Sequence, residues 1–278
     1  MRPFFPRVRG GSRDAAAVLD DLVEYHRSNP GVTEATLGAL TTRDGRTGYD
    51  LLAERVAAGA QAVLDLGCGN GPLLERLLTL PLARVVGVDL CAAELALARA
   101  RCGDDPRLEL LEASGHAFDV RDLDAVVSHH AFYLMEPIEA VIANVARALR
   151  PGGTFAWITS SPRAAEHPVF AALMTRFAAI TRREHPTFGG WGDRRVWSEE
   201  GLRSLFSPEL FTPFSIDDFV LVAREPSEAL ADRLLRFFYS AELQSDEGRA
   251  ETRRAWLEVL DGRDRVELPW AMVTMRRR

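Results

Sequence analysis

The glycine-spaced segment that follows a short apolar run at 62–66 limits the fold of this chain more than any other feature. It reads Asp65-Leu-Gly-Cys-Gly-Asn-Gly71, and Pro72 then occupies a position that suits the first turn of a helix. Glycines allow backbone angles that other residues avoid and let a ligand approach the main chain, while the next helix offers free N–H groups. The segment predicts a buried strand, a turn that accepts a ligand, and a helix; a tight turn without a ligand is the alternative interpretation.

Six further apolar runs, separated by amphipathic segments, extend this unit to a whole fold. The predicted strands are 62–66, 84–88, 108–111, 124–128, 154–159, 216–222 and 266–275. The predicted helices are 14–29, 33–40, 49–57, 73–78, 92–101, 137–149, 164–181 and 198–206, with a helical pair at 226–261. Strands that alternate with helices favour an α/β fold of the Rossmann-like, doubly wound type, with a mostly parallel seven-stranded sheet and helical cap segments.

Changes in this rhythm divide the chain into four predicted segments. Residues 1–48 form an N-terminal helical cap, and residues 49–160 form the ligand-binding core. Residues 161–213, where a loop rich in glycine and tryptophan interrupts the pattern, form a lid or substrate insertion. Residues 214–278 supply the last strands, with the helical pair inserted between them, and complete the sheet.

Composition excludes several kinds of chemistry and of partner. The chain has no lysine, so all 34 basic residues are arginine and no Schiff base, phosphate-loop lysine or lysine base is available. A net charge of -6 argues against nucleic acid as a partner. The three cysteines lack paired spacing, no metal-ligand motif is present, and no apolar run reaches transmembrane length, so neither a metal nor a membrane is expected. Since the start of the chain has no hydrophobic signal core, a cytoplasmic location is expected.

The spacing of the glycines distinguishes between two kinds of cofactor. A dinucleotide fingerprint is G-x-G-x-x-G/A, whereas Gly67, Gly69 and Gly71 give G-x-G-x-G and Pro72 takes the place of the last glycine. The second predicted strand ends at Asp89, 20 residues after Gly69, where a carboxylate can accept both ribose hydroxyls of an adenosine. This pattern favours an adenosine cofactor without a pyrophosphate.

Three motifs resemble those of class I S-adenosylmethionine-dependent methyltransferases of the small-molecule, natural-product type. They are the glycine segment, Gly87-Val-Asp89 and Leu149-Arg-Pro-Gly-Gly153, and the resemblance is strongest over about residues 50–160. It implies S-adenosyl-L-methionine as cofactor and S-adenosyl-L-homocysteine as product, with the glycines beneath the methionine part, Asp65 near its amino group and Glu112-Ala113 at the adenine, where the family usually has aspartate. The predicted cofactor residues are Asp65, Gly67, Gly69, Gly71, Asp89, Leu90, Glu112, Ala113 and Ser128.

Two adjacent histidines are the candidate catalytic residues. The fourth predicted strand delivers His129 and His130 to the carboxyl edge of the sheet, and the resemblance places this loop beside the transferable methyl group. A histidine with a pKa near neutrality can take a proton from an attacking oxygen or nitrogen; a hydrogen bond to backbone at the strand end is the alternative role. Arg194 and Arg195 are candidates to clamp an acidic group on the substrate. The candidate substrate-binding residues are Tyr25, His26, Tyr133, Trp191, Arg194 and Arg195.

These features predict methyl transfer to an oxygen, nitrogen or carbon atom of a small metabolite in bacterial secondary metabolism. An anionic metabolite is one option for this substrate. One alternative keeps the fold but not the reaction: cofactor-independent intramolecular displacement, as in aziridine closure with loss of sulfate. The other alternative is a non-catalytic partner subunit. The sequence leaves open whether the chain is a monomer, a homodimer or part of a heteromer.

Overall fold

A seven-stranded sheet organises the chain, as seen in the computed structural model, which describes residues 23–56, 58–188 and 191–278. Its order is β3-β2-β1-β4-β5-β7-β6, and β7 pairs antiparallel with both of its neighbours, while the other paired strands are parallel. The strands are β1 (Ala62–Leu66), β2 (Arg84–Asp89), β3 (Leu108–Glu112), β4 (Leu123–His129), β5 (Leu149–Ser160), β6 (Ser215–Arg224) and β7 (Arg265–Arg276). The predicted Rossmann-like, mostly parallel seven-stranded sheet is confirmed.

Helices cover both faces of the sheet. Residues 23–28 are helical (α1), and the part of the predicted helix 14–29 that precedes them lies outside the described residues. The other helices are α2 (Val32–Leu37), α3 (Gly48–Arg55), α4 (Pro72–Leu78), α5 (Ala92–Cys102), α6 (Ile138–Ala148), α7 (Pro168–Glu184), α8 (Glu199–Leu205), α9 (Ser227–Phe237), α10 (Ser240–Leu243) and α11 (Asp246–Leu260). No described helix has the length and apolar character needed to cross a membrane.

The inner strands are apolar on both faces because each face packs against helices. All seven residues of β4 are buried, and successive residues of β1 contribute to two different core clusters, Val63 to one and Leu64 to the other. The continuous apolar runs in the sequence are explained by this double burial.

The Arg-Pro-Gly-Gly motif has a structural role that the sequence pattern did not indicate. Strand β5 was predicted to begin at 154, but it begins at Leu149, which pairs with Leu123 on β4. The next paired residues are Ala125 and Thr154, so residues 150–153 form a bulge opposite Asp124. The Asp124 carboxylate pairs with Arg150 and accepts the backbone N–H of Ala62 at 2.9 Å. The motif thus ties three central strands together at the end of the sheet opposite the glycine segment.

The register of the parallel strands brings the predicted functional loops to one edge. Asp65 on β1 pairs with Gly87, and Asp89 at the end of β2 pairs with Glu112. His129 ends β4, the neighbour of β1 on its other side. Because the carboxyl ends of parallel strands form the ligand crevice of such sheets, this edge is where a site is expected.

Candidate functional site

The loops after β1, β2 and β4, together with α1 and Tyr239, line a cleft with two adjoining lobes. The first lobe is mainly apolar and lies between the end of β2 and Met135. The second lobe is more polar than the first and extends from the glycine segment to Tyr239 and the end of β4. Residues that line both lobes are His26, Gly67, Asp89, Ala131 and Leu134.

The glycine segment requires its glycines for two separate reasons. Gly67, Gly69 and Gly71 have φ angles of +76°, +50° and +85°, in the left-handed region that side chains rarely adopt. A Cβ atom on Gly67 would also lie 2.4 Å from the Cβ of Ala131, and one on Gly71 would lie 3.0 Å from the Cβ of Ala98. The segment therefore packs closely on its surroundings and leaves its backbone facing the cleft.

We expect Gly67→Ala to lower the free energy of unfolding by about 1–3 kcal/mol, because it adds both backbone strain and an overpacked contact with Ala131. Gly262→Ala is a matched control, since Gly262 has a similar φ of +67° but no atom within 4 Å of its Cβ position. Chemical denaturation of the two variants measures the difference. Equal losses of stability would show that the contact with Ala131 contributes nothing.

Asp89 connects the glycine segment to the end of β2. Its Oδ2 accepts the N–H of Gly69 at 2.8 Å, and its Oδ1 accepts the N–H of Cys91 at 2.9 Å. Burial raises the pKa of Asp89, and these two N–H groups act in the opposite direction. A carboxylate has about four acceptor positions, so Asp89 retains acceptor capacity toward the two lobes.

Asp65 is a buried carboxylate whose charge is not balanced by the described residues. Its side chain is 1% exposed, and its Oδ1 has no hydrogen-bond partner. Burial and the nearby charge of Asp89 raise its pKa well above the ordinary range. An uncompensated buried carboxylate is costly to the fold and usually marks a position where a ligand completes the pairing.

The two histidines form one wall of the second lobe. His129 packs against Tyr49 with tilted rings whose centroids are 4.1 Å apart, and His130 meets Trp270 edge to face at 4.1 Å. Their exposed fractions are 7% and 4%, and Nδ1 of His129 and Nε2 of His130 have no hydrogen-bond partner. His130 also has a φ of +54°, which is unusual for a residue other than glycine and is characteristic of functional sites.

The electrostatic state of this pair differs from the one predicted. Burial, with a smaller contribution from Arg76, lowers the pKa of His129 to about 3. Burial and the neighbouring His129 lower the pKa of His130 well below its ordinary range. The prediction of a histidine with a pKa near neutrality is therefore wrong, because the sequence did not reveal that aromatic rings enclose both imidazoles. Both are neutral and are weak bases.

A hydrogen-bonded latch holds α1 over the cleft. His26 Nδ1 lies 2.8 Å from Oε1 of Glu94, and its Nε2 lies 3.0 Å from the Tyr239 hydroxyl. Glu94 is 2% exposed and also accepts the N–H of Gly31 with both oxygens, at 3.0 and 3.1 Å. His26 therefore reaches the cleft as predicted for a substrate contact, but in this structure it also connects α1 to α5 and Tyr239.

The remaining cofactor candidates take different positions. Leu90 and Ala113 line the first lobe. The Ser128 hydroxyl donates to the Leu66 carbonyl at 2.7 Å, so Ser128 joins two strands and is fully buried. Glu112 is exposed and does not line the cleft, because β3 is the edge strand and Glu112 lies at its solvent-facing end.

The remaining substrate candidates lie behind the cleft. Tyr25, Tyr133 and Trp191 pack in or against one apolar cluster beside Tyr239. Arg195 is held by Asp193 at 3.0 Å and by Glu139 at 2.6 Å. Arg194 is exposed, and neither arginine lines the cleft, so the predicted anion clamp is absent from it.

The second-lobe residues that the sequence analysis missed include three with polar side-chain groups, Tyr49, Glu94 and Tyr239. Tyr49 and Glu94 occupy the first turns of helices α3 and α5, where the amphipathic pattern gave no reason to select them. Tyr239 lies between α9 and α10 and reaches the cleft only through tertiary packing. Within the described residues, no cluster of three or more histidine, cysteine or acidic side chains is placed to hold a metal ion.

Comparison with known proteins concerns mainly the region around the glycine segment. Residues 63–153 match a family described as methyltransferase domain. An uncharacterized methyltransferase of Mycobacterium tuberculosis is 35% identical over 114 residues, which cover 40% of this chain and 57% of that protein. The trans-aconitate 2-methyltransferase of Variovorax paradoxus is 36% identical over 112 residues, covering 40% of this chain and 43% of that protein. The chain thus spans about half the length of the curated relatives it matches.

Solved structures resemble a larger part of the chain. The YcgJ protein of Bacillus subtilis has a TM-score of 0.58 at 14% identity, over 83% of this chain and 97% of that protein. At this identity the likeness concerns the fold alone.

Proposed function

We propose that this chain, whose residues 63–153 match a methyltransferase domain family, is a class I S-adenosylmethionine-dependent enzyme that transfers a methyl group to a small metabolite in secondary metabolism. The observation that carries the proposal is the cleft at the carboxyl edge, with a glycine segment, an unpaired buried Asp65 and a second carboxylate at Asp89. Each of these features suits a different part of S-adenosylmethionine.

The residues present fit this cofactor. Oδ1 of Asp65 would pair with the cofactor's ammonium group, and the remaining acceptor positions of Asp89 would take the ribose hydroxyls. The apolar first lobe, with Leu90 and Ala113 in its wall, would hold the adenine ring. The bound cofactor supplies an activated methyl group on a sulfonium sulfur.

The protein contributes binding, orientation and exclusion of water. The glycine segment brings backbone close to the ligand, and the latch formed by His26, Glu94 and Tyr239 covers the cleft. Because the reaction is a direct displacement, positioning of the two reactants in a dry site provides most of the acceleration. His129 and His130, which line the second lobe, would orient the acceptor through hydrogen bonds.

Calorimetric titration of the purified protein with S-adenosylmethionine and S-adenosylhomocysteine tests the proposal. We expect saturable binding of both, with dissociation constants of about 1 μM to 100 μM, as for an ordinary cofactor site. A well-folded protein that binds neither would contradict methyl transfer. That result would favour cofactor-independent displacement or a role as partner subunit.

We also expect neither His129 nor His130 to titrate between about pH 5 and pH 8, where an ordinary histidine with a pKa of about 6.5 changes charge. A lowered pKa in the folded state means that each ring stays neutral until the pH falls well below this window. Histidine resonances in NMR spectra of labelled protein measure this, with His129→Gln and His130→Gln used to assign the signals. A midpoint near pH 6.5 for either signal would contradict the neutral pair.

A further inference from the structure

The second lobe has a one-sided charge distribution. Among the described residues that line it are three acidic side chains, Asp65, Asp89 and Glu94, and no arginine. Two guanidinium groups contact lining residues without lining the lobe themselves. Arg76 donates to the Pro72 carbonyl at 2.9 Å and Arg101 donates to the Asn70 carbonyl at 3.0 Å. Each is also bonded to a carboxylate, Arg76 to Asp50 and Arg101 to Glu34. An acidic head group would therefore enter a field of like charge, whereas a cation or its neutral precursor would be favoured.

The walls of this lobe suit a nitrogen head group. The rings of Tyr49 and His129 line the lobe with their centroids 4.1 Å apart and their planes tilted by 34°, and the Tyr239 ring lines it beside His26. The unpartnered Nδ1 of His129 and Nε2 of His130 belong to neutral imidazoles that are more than nine-tenths buried. A neutral imidazole offers one acceptor and one donor, so it can bind an N–H group and leave the nitrogen lone pair free.

We propose that the methyl acceptor is the nitrogen of a primary or secondary amine, held in the second lobe by His129 and His130 beside the aromatic rings that line it. This inference rests on the proposed methyl transfer and specifies its substrate class. It replaces the anionic substrate expected from Arg194 and Arg195, since neither side chain lines the cleft.

The chemistry of amine methylation agrees with the available groups. The amine binds as the free base, and its lone pair forms the bond to the methyl carbon while the carbon–sulfur bond breaks and sulfur keeps that electron pair. The products are S-adenosylhomocysteine and a methylated ammonium ion that retains all of its protons. No proton acceptor is needed during transfer, whereas a hydroxyl acceptor would need one, and the two neutral imidazoles are weak bases. The positive charge that develops on nitrogen is stabilised by the aromatic side chains and by Glu94, the lining carboxylate that the proposed cofactor contacts leave out.

Matched probes test the inference on the full chain saturated with S-adenosylhomocysteine. The panel consists of sets that share one carbon skeleton and differ in head group, such as benzylamine, benzyl alcohol and benzoate. We expect the tightest amine to bind at least about tenfold more tightly than its alcohol and acid counterparts in calorimetry. With S-adenosylmethionine in place of the product, mass spectrometry should detect the N-methylated amine and no methyl ether or ester.

Variants distinguish a positioning role from a structural one. His129→Phe keeps an aromatic ring in the wall and removes the nitrogens, so we expect it to weaken amine binding by about tenfold while S-adenosylhomocysteine still binds. His116→Phe is the control, because His116 is exposed and does not line the cleft. Loss of the head-group preference in His129→Phe and its retention in His116→Phe would support the assignment.

The outcomes separate this inference from the proposed function. Failure of S-adenosylhomocysteine to bind contradicts the proposed function and is seen before any probe is added. If the product binds but amines across the panel bind no more tightly than alcohols and acids, including the case in which none binds, the amine assignment is overturned. Methylation of an alcohol or acid without methylation of its amine counterpart overturns it as well.

Discussion

Replacement of Asp89 by alanine is expected to weaken S-adenosylmethionine binding by about 100-fold or more. A hydrogen bond to a charged acceptor contributes about 1.5–3 kcal/mol, and two ribose hydroxyls would lose such a bond. The variant also frees the N–H groups of Gly69 and Cys91, which Asp89 accepts at 2.8 and 2.9 Å, so the glycine segment loses its link to β2. Calorimetric titration of wild type and variant measures the change.

Asp104→Ala is a suitable control for the loss of one negative charge, since Asp104 is exposed and lies outside the cleft. Near-ultraviolet circular dichroism should show that the Asp89 variant remains folded. If the folded Asp89→Ala protein binds the cofactor as tightly as wild type does, the ribose contact proposed for Asp89 is wrong. In that case the glycine segment, Asp65 and the apolar first lobe would account for binding.

The parts of the site that follow directly from strand ends were accessible to sequence analysis. Asp65, the glycine segment and Asp89 all lie within a few residues of the end of β1 or β2, and parallel pairing brings those ends to one edge. The same reasoning correctly located His129 and His130 at the end of β4. These positions depend on where each strand ends and on parallel pairing, and hydrophobic periodicity predicts the strands well.

The parts that depend on packing between distant segments were not accessible. Tyr239 reaches the cleft because the helices after β6 fold back against α2, which brings Tyr239 to His26. The local sequence around Tyr239 does not indicate this contact. The low pKa of His129 arises from burial against Tyr49, which lies on helix α3, far from His129 in the sequence. Glu112 lies at a strand end like Asp89, but it is on the edge strand, and its side chain is exposed to solvent.

Asp65→Asn is expected to change stability and binding in opposite directions. The folded-state pKa of Asp65 is raised above its unfolded value, so the free protein loses stability as the pH rises above the unfolded value of about 3.8, because the unfolded carboxyl ionises more readily than the buried one. The variant should therefore raise the free energy of unfolding at pH 7, by about 1–3 kcal/mol, and have no such effect near pH 3. Denaturant titration at both pH values measures this.

The same substitution should weaken S-adenosylmethionine binding by about 10- to 100-fold at pH 7, because a charge-assisted bond to the ammonium group contributes about 1.5–3 kcal/mol. Since the cofactor pairs with ionised Asp65, wild-type affinity should be complete above the raised pKa of the free protein and decrease as the pH falls through it, while the variant should lack this dependence. Asp119→Asn, at an exposed position, controls for the loss of one carboxylate. A variant that gains stability yet binds the cofactor as tightly as wild type would show that Asp65 is buried without contacting the ligand. A variant that loses both stability and binding would show that Asp65 has a structural partner in the free protein, and the unpaired carboxylate would no longer support the cofactor site.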